Sequence, residues 1–459
     1  MNQLKTLTIA VLCTLAASKS GTAQQRELSL ENAMELMENN SLVINMAALS
    51  TDIAKTEKQK LNAAWYPFIS LSGGYTNMSE DIAVEKSFEL LNNQITISIP
   101  LLDNNIASAD GNITWPLFTG GKRIYASRIG ESIVRSAELL EESTKNNQKL
   151  LLIENYCTVI VLKYSVKVYE DELAANEKLY QDALSMMENG VINKAQMLVA
   201  KVARETSSLN LESTENNLDV AIKALNKMLG TDSIANNISL TSGLFICSCP
   251  EKQEYFHSMA SHNNQQMQLI LQQQKINENK SKIAKSGYLP DISLFSRQNI
   301  YSYNIPANLL PRRMVGAGVV WNIFDGFIRE KSIKASDLEH HRLELQYDES
   351  SKELHLLIEK LYSSLENAAN ASTSLESSIS FAKELVKARE RSFQEGMATS
   401  QEVTDARALL SKARLASLSA FYQYDITLAN LCALCGDTSH FISMMQQPSN
   451  LHPQQEKNF

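Results

Sequence analysis

The chain has 459 residues, a net charge of −8 and a hydrophobic share of 44%. That is enough apolar material for a core, and enough length for two or three ordinary domains or one elongated one. The acidic balance, with no basic run, excludes a nucleic-acid partner.

The N-terminus reads as a secretory signal. Lys5 supplies the positive charge, residues 6–17 a short apolar stretch, and Gly21-Thr22-Ala23 the small residues that precede a cleavage site. Cleavage after Ala23 makes residues 1–23 the signal peptide. It removes Lys5 and Lys19 and takes the net charge from −8 to −10. A membrane anchor is the competing reading, but the stretch is shorter than the about 20 apolar residues a span needs. Leu12 before Cys13 suits lipid attachment poorly. No later stretch would make a membrane helix. An exported chain of this kind is secreted, periplasmic, or held in an outer membrane by a β-barrel.

Two copies of one unit follow. Trp115-x-x-Phe118-x-Gly120-x-x-Arg123 recurs 206 residues later as Trp321-x-x-Phe324-x-Gly326-x-x-Arg329, and the same offset carries Gly190 onto Gly396 and Gly230 onto Gly436. Upstream, Pro67-x-Ile69-Ser70-Leu71 matches Pro290-x-Ile292-Ser293-Leu294 at an offset of 223. The first copy therefore carries a longer loop, read as a polar, irregular segment over 79–110. In the first repeat, 24–250, the pattern predicts a helix over 29–64 and strands near 67–77 and 108–118. A long helix over 123–187 and a return helix over 194–230 complete it. In the second, 251–436, it predicts a helix over 251–286, strands near 290–302 and 313–324, a long helix over 329–393 and a return helix over 400–435. Residues 437–459 read as a polar C-terminal tail.

The helix assignments rest on the proline-free stretches between Pro116 and Pro250 and between Pro311 and Pro448. The strands rest on period two: Ile69, Leu71, Gly73 and Tyr75 against Ser70, Ser72, Gly74 and Thr76, and Val315, Ala317 and Val319 against Met314, Gly316 and Gly318. A helix of about 65 residues spans about 100 Å, which no compact domain needs. Its apolar residues, such as Ile129, Ile133, Ala137 and Leu140, form a narrow stripe of coiled-coil type. Four strands with one apolar face cannot close a membrane barrel alone, because the smallest have about eight. In a membrane, several chains would have to share one barrel, since open edges are not tolerated there.

The run from Trp115 through Lys122, the Tyr288-Leu289-Pro290 start of a strand, and Gly396 followed by Glu402-Val403 and Ala406 resemble the outer-membrane efflux (TolC-like) family. The duplicated plan covers nearly all of the mature chain. The resemblance implies a mainly helical fold with a β-barrel contribution, and a homotrimer with a twelve-stranded barrel in outer-membrane lipid. It also implies a helical tunnel in the periplasm, and a periplasmic adaptor and an inner-membrane pump as partners. The expected function is the passive channel of a tripartite efflux or export system in the cell outer membrane. Type I polypeptide secretion is the alternative cargo. An exported coiled-coil scaffold or adhesion protein is the alternative class, and it leaves the repeated strands without a purpose.

The family's tunnel narrows at the helix tips, often with acidic residues on the return helix. The matching positions are Glu402 and Asp405, whose i, i+3 spacing puts both on one helix face. Gln196 stands opposite Glu402 in the first copy. The tip turns at Gly190, Val191, Gly396 and Met397 are the expected adaptor contacts. Trp115 and Trp321 are the expected membrane-interface anchors, where amphipathic rings prefer to sit.

No phosphate loop, metalloprotease helix or nucleophile elbow is present, so no enzyme activity and no cofactor is expected. His340-His341, and His257 with His262, read as solvated residues rather than metal ligands. Cys157, Cys247, Cys249, Cys432 and Cys435 are an odd set for a disulfide framework. Cys432-x-x-Cys435 reads as small buried residues of a helix.

Overall fold

A computed structural model describes residues 26–90, 93–230, 238–247, 251–305, 311–447 and 450–453. The signal peptide and Cys249 lie outside the described residues. In chain order the elements are β1 (Arg26–Leu28), α1 (Leu30–Asn40), α2 (Leu42–Asn62), β2 (Phe68–Asn77), β3 (Ile82–Leu90), β4 (Asn93–Leu102), β5 (Asn105–Thr119), α3 (Lys122–Glu188) and α4 (Lys194–Met228). Then come β6 (Ile238–Leu240), α5 (Gln253–Asn263), α6 (Gln265–Ser286), β7 (Asp291–Tyr303), β8 (Arg313–Val320), α7 (Ile328–Gln394), α8 (Ser400–Leu434) and α9 (Ser439–Met445). The fold is mainly α. The equivalent helices of the two copies have equal lengths, 67 residues in α3 and α7 and 35 in α4 and α8.

The chain divides into two compact units, one of Ala48–Leu140 and Gln266–Ser350. It contains a four-stranded antiparallel sheet in the order β2-β5-β7-β8. The two copies meet at β5 and β7, where Trp115 pairs with Leu294 and Asn112 with Arg297. Between β2 and β5 the chain forms the antiparallel hairpin β3–β4. This corrects the reading of 79–110 as an irregular loop. The alternation of Ile97 and Ile99 with Thr96 and Ser98 was the missed signal. Strand β8 stops at Val320, which pairs with Asp291, the first residue of β7. Beyond it the partner strand has ended, so residues 321–324, expected in the strand, lie outside it.

The other unit holds Glu141–Gln265, the residues up to Ala47 and those from Ser351 on. Short β1 pairs in parallel with β6. Its core is built on Tyr156, Tyr424, Phe245, Phe256 and Phe441, all fully buried. Tyr156 donates its hydroxyl hydrogen to the Leu28 carbonyl (2.8 Å) and accepts from the Ser242 N–H (3.1 Å). These bonds satisfy the phenol that burial would otherwise leave unpaired. The segment after Thr438, expected as a polar tail, instead contributes Phe441 and Met444 to this core. Leu451 then exchanges backbone hydrogen bonds with Ile246.

The helix expected over 29–64 is two helices, broken at Ser41, and the one expected over 251–286 is broken at Asn264. The breaks are 223 residues apart, the offset of the upstream repeat. At each, the backbone turns extended, with ψ of 117° at Ser41 and 119° at Asn264. The return helix of the same copy ends against the break. Asn40 Nδ2 donates to the Leu229 carbonyl (3.0 Å) and Asn264 Nδ2 to the Leu434 carbonyl (3.2 Å). The helix-terminating glycines, Gly230 and Gly436, sit there at positive φ.

Candidate functional site

The sheet sorts its side chains by chemistry. Residues paired across strands share a face, and alternate residues along a strand change face. One face carries Ile69, Leu71 and Tyr75 of β2, Ile113 and Trp115 of β5, Leu294 of β7, and Val315 and Val319 of β8, all exposed in the single chain. The other carries Ser70, Ser72, Asp110, Asn112, Arg297 and Asn299. There Arg297 Nη2 donates to Asp110 Oδ2 (2.5 Å), Asn299 Nδ2 to Asp110 Oδ1 (3.0 Å), and Asn112 Nδ2 to the Ser72 hydroxyl (2.9 Å). Apolar side chains on this face include Phe68, Phe295, Met314 and Val320. Phe295 lies over Gly316, where an added Cβ would come within 2.7 Å of its ring.

A strand–helix junction is built the same way in both copies. The Trp115 indole N–H donates to the Trp65 carbonyl (3.1 Å), and the Trp321 indole N–H to the Tyr288 carbonyl (3.1 Å). The Arg123 guanidinium lies 4.2 Å from the Trp65 ring centroid, and that of Arg329 lies 4.6 Å from the Tyr288 ring. Arg123 also donates to the carbonyls of Leu117 (2.7 Å) and Ala64 (3.4 Å). Arg329 donates to those of Ile323 (2.9 Å) and Gly287 (2.9 Å). Each equivalent pair obeys one of the two repeat offsets. Sequence reasoning singled out the tryptophans and arginines, and Tyr288 only as part of a strand start; it missed Trp65, whose signal is aromatic character at the position matching Tyr288 before the proline.

At the other end of the long helices, Gly190 and Gly396 adopt φ of 72° and 74°. The N–H after each glycine reaches back to the helix: Val191 to the Met186 carbonyl and Met397 to the Ser392 carbonyl, both at 2.8 Å. This is a Schellman closure, which needs the left-handed conformation that glycine tolerates. Asn193 and Thr399 then cap α4 and α8 by accepting from the N–H of Gln196 and Glu402. Leu179, Ala183, Met197, Ala200, Phe393, Ala398 and Val403 form a small core behind the turns. Val191 and Met397 remain outside it, 59% and 73% exposed.

Glu402 and Asp405 sit in the first two turns of α8 but in different surroundings. Glu402 is the third helical residue of a capping box. It accepts from the Thr399 N–H (2.8 Å) and hydroxyl (3.1 Å), which hold its carboxyl below the usual glutamate range. Its other oxygen pairs with Arg389 of α7 at 3.0 Å. Asp405 is exposed and accepts from the Gln401 side chain (2.8 Å).

Below the tip lies a polar clamp that the sequence reading missed. Arg407 of α8 is buried and donates to Glu390 of α7 (2.5 and 3.0 Å), to Asn176 Oδ1 of α3 (3.2 Å) and to the Ala175 carbonyl. Asn176 in turn donates to Ser207 of α4 (2.8 Å), and Ser207 to Glu172 (3.2 Å). One network thus crosses all four helices. The equivalents of Asn176 and Ser207 in the second copy are Ala382 and Ala413, so the repeat gave no hint of it.

The sequence profile described as "Outer membrane efflux protein" matches residues 33–231 and 257–437. No curated protein matches the sequence. Among solved structures, the outer membrane protein VceC of Vibrio cholerae is 16% identical, with a TM-score of 0.71, covering 89% of this chain and 96% of its own. CusC is 13% identical, with a TM-score of 0.73 and coverages of 89% and 92%. The MtrE outer membrane channel of Neisseria gonorrhoeae is 12% identical, with a TM-score of 0.69 and coverages of 89% and 89%.

Proposed function

Because the chain belongs to the outer membrane efflux protein family, we propose that it works as the passive outer-membrane conduit of a tripartite efflux or export system, as a trimer. The observation that carries this reading is the sheet. Its outer strands β2 and β8 have no further partner among the described residues. One face is mainly apolar and the other mainly polar. Three four-stranded sheets joined edge to edge make twelve strands, with lipid outside and water inside. The tryptophans at the junctions then lie at the membrane interface, with Arg123 and Arg329 at head-group level.

The helices support the same association. Leu42, Met46, Leu49 and Ile53 of α2 recur at i, i+4, i+7 and i+11, the spacing of a coiled-coil seam, and are 58–77% exposed in the single chain. Ile133 and Leu140 of α3 are likewise on the surface, whereas Ser132, Leu139, Asn146, Ile153 and Ile160, one heptad apart, are buried within the chain. Exposed seams of this kind are what neighbouring copies would cover.

The periplasmic adaptor meets the helix tips, with Gly190, Val191, Gly396 and Met397 as contacts; exposed Val191 and Met397 are the apolar side chains available there. Glu402 and Asp405 form the constriction. Three copies present rings of carboxylates, which favour cations. Asp405 contributes the more open charge, since Glu402 is engaged by Thr399 and Arg389. Replacing both by alanine should lower cation preference in single-channel recordings while conductance steps persist. Unchanged selectivity would place the constriction elsewhere. Energy for transport comes from the inner-membrane pump, and the chain itself hydrolyses nothing.

A further inference from the structure

We propose that His257 and His355 form a two-imidazole clip for a divalent copper or nickel ion, joining α5 to α7. In the sequence His257 stands beside only His262, five residues on and poorly spaced for a shared ligand, whereas His355 is 98 residues away. In the structure the Nδ1 atoms of His257 and His355 are 2.8 Å apart. The ring centroids are 4.8 Å apart and the ring planes differ by 29°. An imidazole nitrogen lies only about 1.1 Å from its ring centre, so the two rings meet edge to edge with the nitrogens innermost. Without an ion, one neutral ring donates its Nδ1–H to the other.

Imidazole nitrogens with water suit divalent copper or nickel, whose adjacent ligands stand about 90° apart, so two nitrogens about 2.1 Å from the ion would lie about 3 Å from each other. The present 2.8 Å gap is close to that. Binding requires the His355 ring to turn about χ2 so that both lone pairs meet at one point. Its exposure leaves room for this.

The site has a supporting partner. The Gln253 side-chain amide lies 3.1 Å from His257 Nε2. Turned so that its oxygen accepts from Nε2–H, it fixes the tautomer that leaves a lone pair on Nδ1, the role outer partners play for metal-bound histidines. The helices are also held in place beneath the pair: Phe256, next to His257, is fully buried and its ring is 6.3 Å from that of Tyr362 on α7. Helical spacing puts Glu254 on the His257 side of α5, and Glu359 together with Lys352 on the His355 side of α7, which leaves the setting net negative by one charge. Among the described residues no group of three or more His, Cys, Asp or Glu is arranged to hold a metal, so water completes the coordination.

The test uses the full chain in detergent, titrated with Cu²⁺ and followed by electron paramagnetic resonance, with Ni²⁺ thermal shifts in parallel. The expected result is one site with couplings from two imidazoles. Single His257→Ala and His355→Ala variants should bind at least tenfold more weakly, with one imidazole coupling left. A His340→Ala/His341→Ala variant should leave the site unchanged. His355→Asn, at an exposed position, keeps the test informative if His257→Ala fails to fold. Wild-type affinity in either His355 variant, or a copper spectrum without two equivalent imidazoles, would overturn the proposal.

Discussion

Duplication placed the same residue type in two opposite environments, and Asp425 shows the consequence. Its equivalent 206 residues earlier, Asp219, is partly exposed and pairs with Lys223 at 2.5 Å. In the second copy the lysine position is Ala429, which is fully buried, and Asp425 is itself 1% exposed. One carboxylate oxygen accepts from the Phe245 N–H at 3.4 Å, and the other has no hydrogen-bond partner. Burial pushes its pKa well above the usual range. A folded-state pKa above the unfolded value means that the group's contribution to stability is complete below the unfolded pKa, about 4. It is lost as pH rises through the folded value. Asp425→Asn should therefore raise the melting temperature at pH 7, and the gain should vanish below pH about 4. A gain equal at both pH values would contradict a buried, protonated carboxyl. The cysteines follow the same logic. Burial pushes the Cys435 thiol up to about 12 and Cys432 and Cys157 up as well, which keeps them as unreactive thiols. This matches the expectation that Cys432-x-x-Cys435 is core.

At the scale of elements, the glycines that end the helices differ in what surrounds them. Gly190 and Gly396 have nothing within 4 Å of an added Cβ, so alanine there meets only the strain of positive φ. That should cost about 1 kcal/mol. At Gly230 the new Cβ would stand 2.7 Å from the Asn40 Cβ, and at Gly436 it would stand 3.0 Å from the Asn263 carbonyl. Gly230→Ala should therefore lower the denaturation midpoint clearly more than Gly190→Ala, and equal effects would mean that the α1–α2 break is not a packed joint. The junction arginines give a second test. Arg123→Ala strips the charge-assisted bonds from the Leu117 and Ala64 carbonyls and should cost about 1.5–3 kcal/mol. Thr399→Ala, which removes the capping box of α8, should cost about 1 kcal/mol. Chemical denaturation of each variant measures both.

The elements themselves were legible because their signals are local. Proline-free stretches marked α3, α4, α7 and α8, period two marked the strands, and the shared offset aligned Gly190 with Gly396. What was not legible depends on contacts between distant segments. The Ser41 and Asn264 breaks arise where the ends of the return helices press on them. The Arg407 network links residues 176, 207, 390 and 407, and no spacing within one helix announces it. The hairpin β3–β4 was overlooked although apolar residues such as Ile82, Val84, Phe88, Ile97 and Ile99, and its short alternation, were there to be read.

On the scale of the whole molecule, a single chain leaves its most apolar surfaces open. The apolar face of the sheet and the α2 seam at Leu42, Met46, Leu49 and Ile53 are exposed, and the edges of β2 and β8 carry no further strand among the described residues. No helix among the described residues is long and apolar enough to cross a membrane; under the proposed function, the strands are the part that enters it. A sheet with free edges is stable in lipid only when closed, which ties membrane insertion to assembly. The most direct measurement is planar-bilayer conductance of detergent-extracted protein, with its mass determined in the same detergent. The account predicts a trimer that gives discrete conductance steps. A monomer, or a soluble oligomer that conducts nothing, would contradict it.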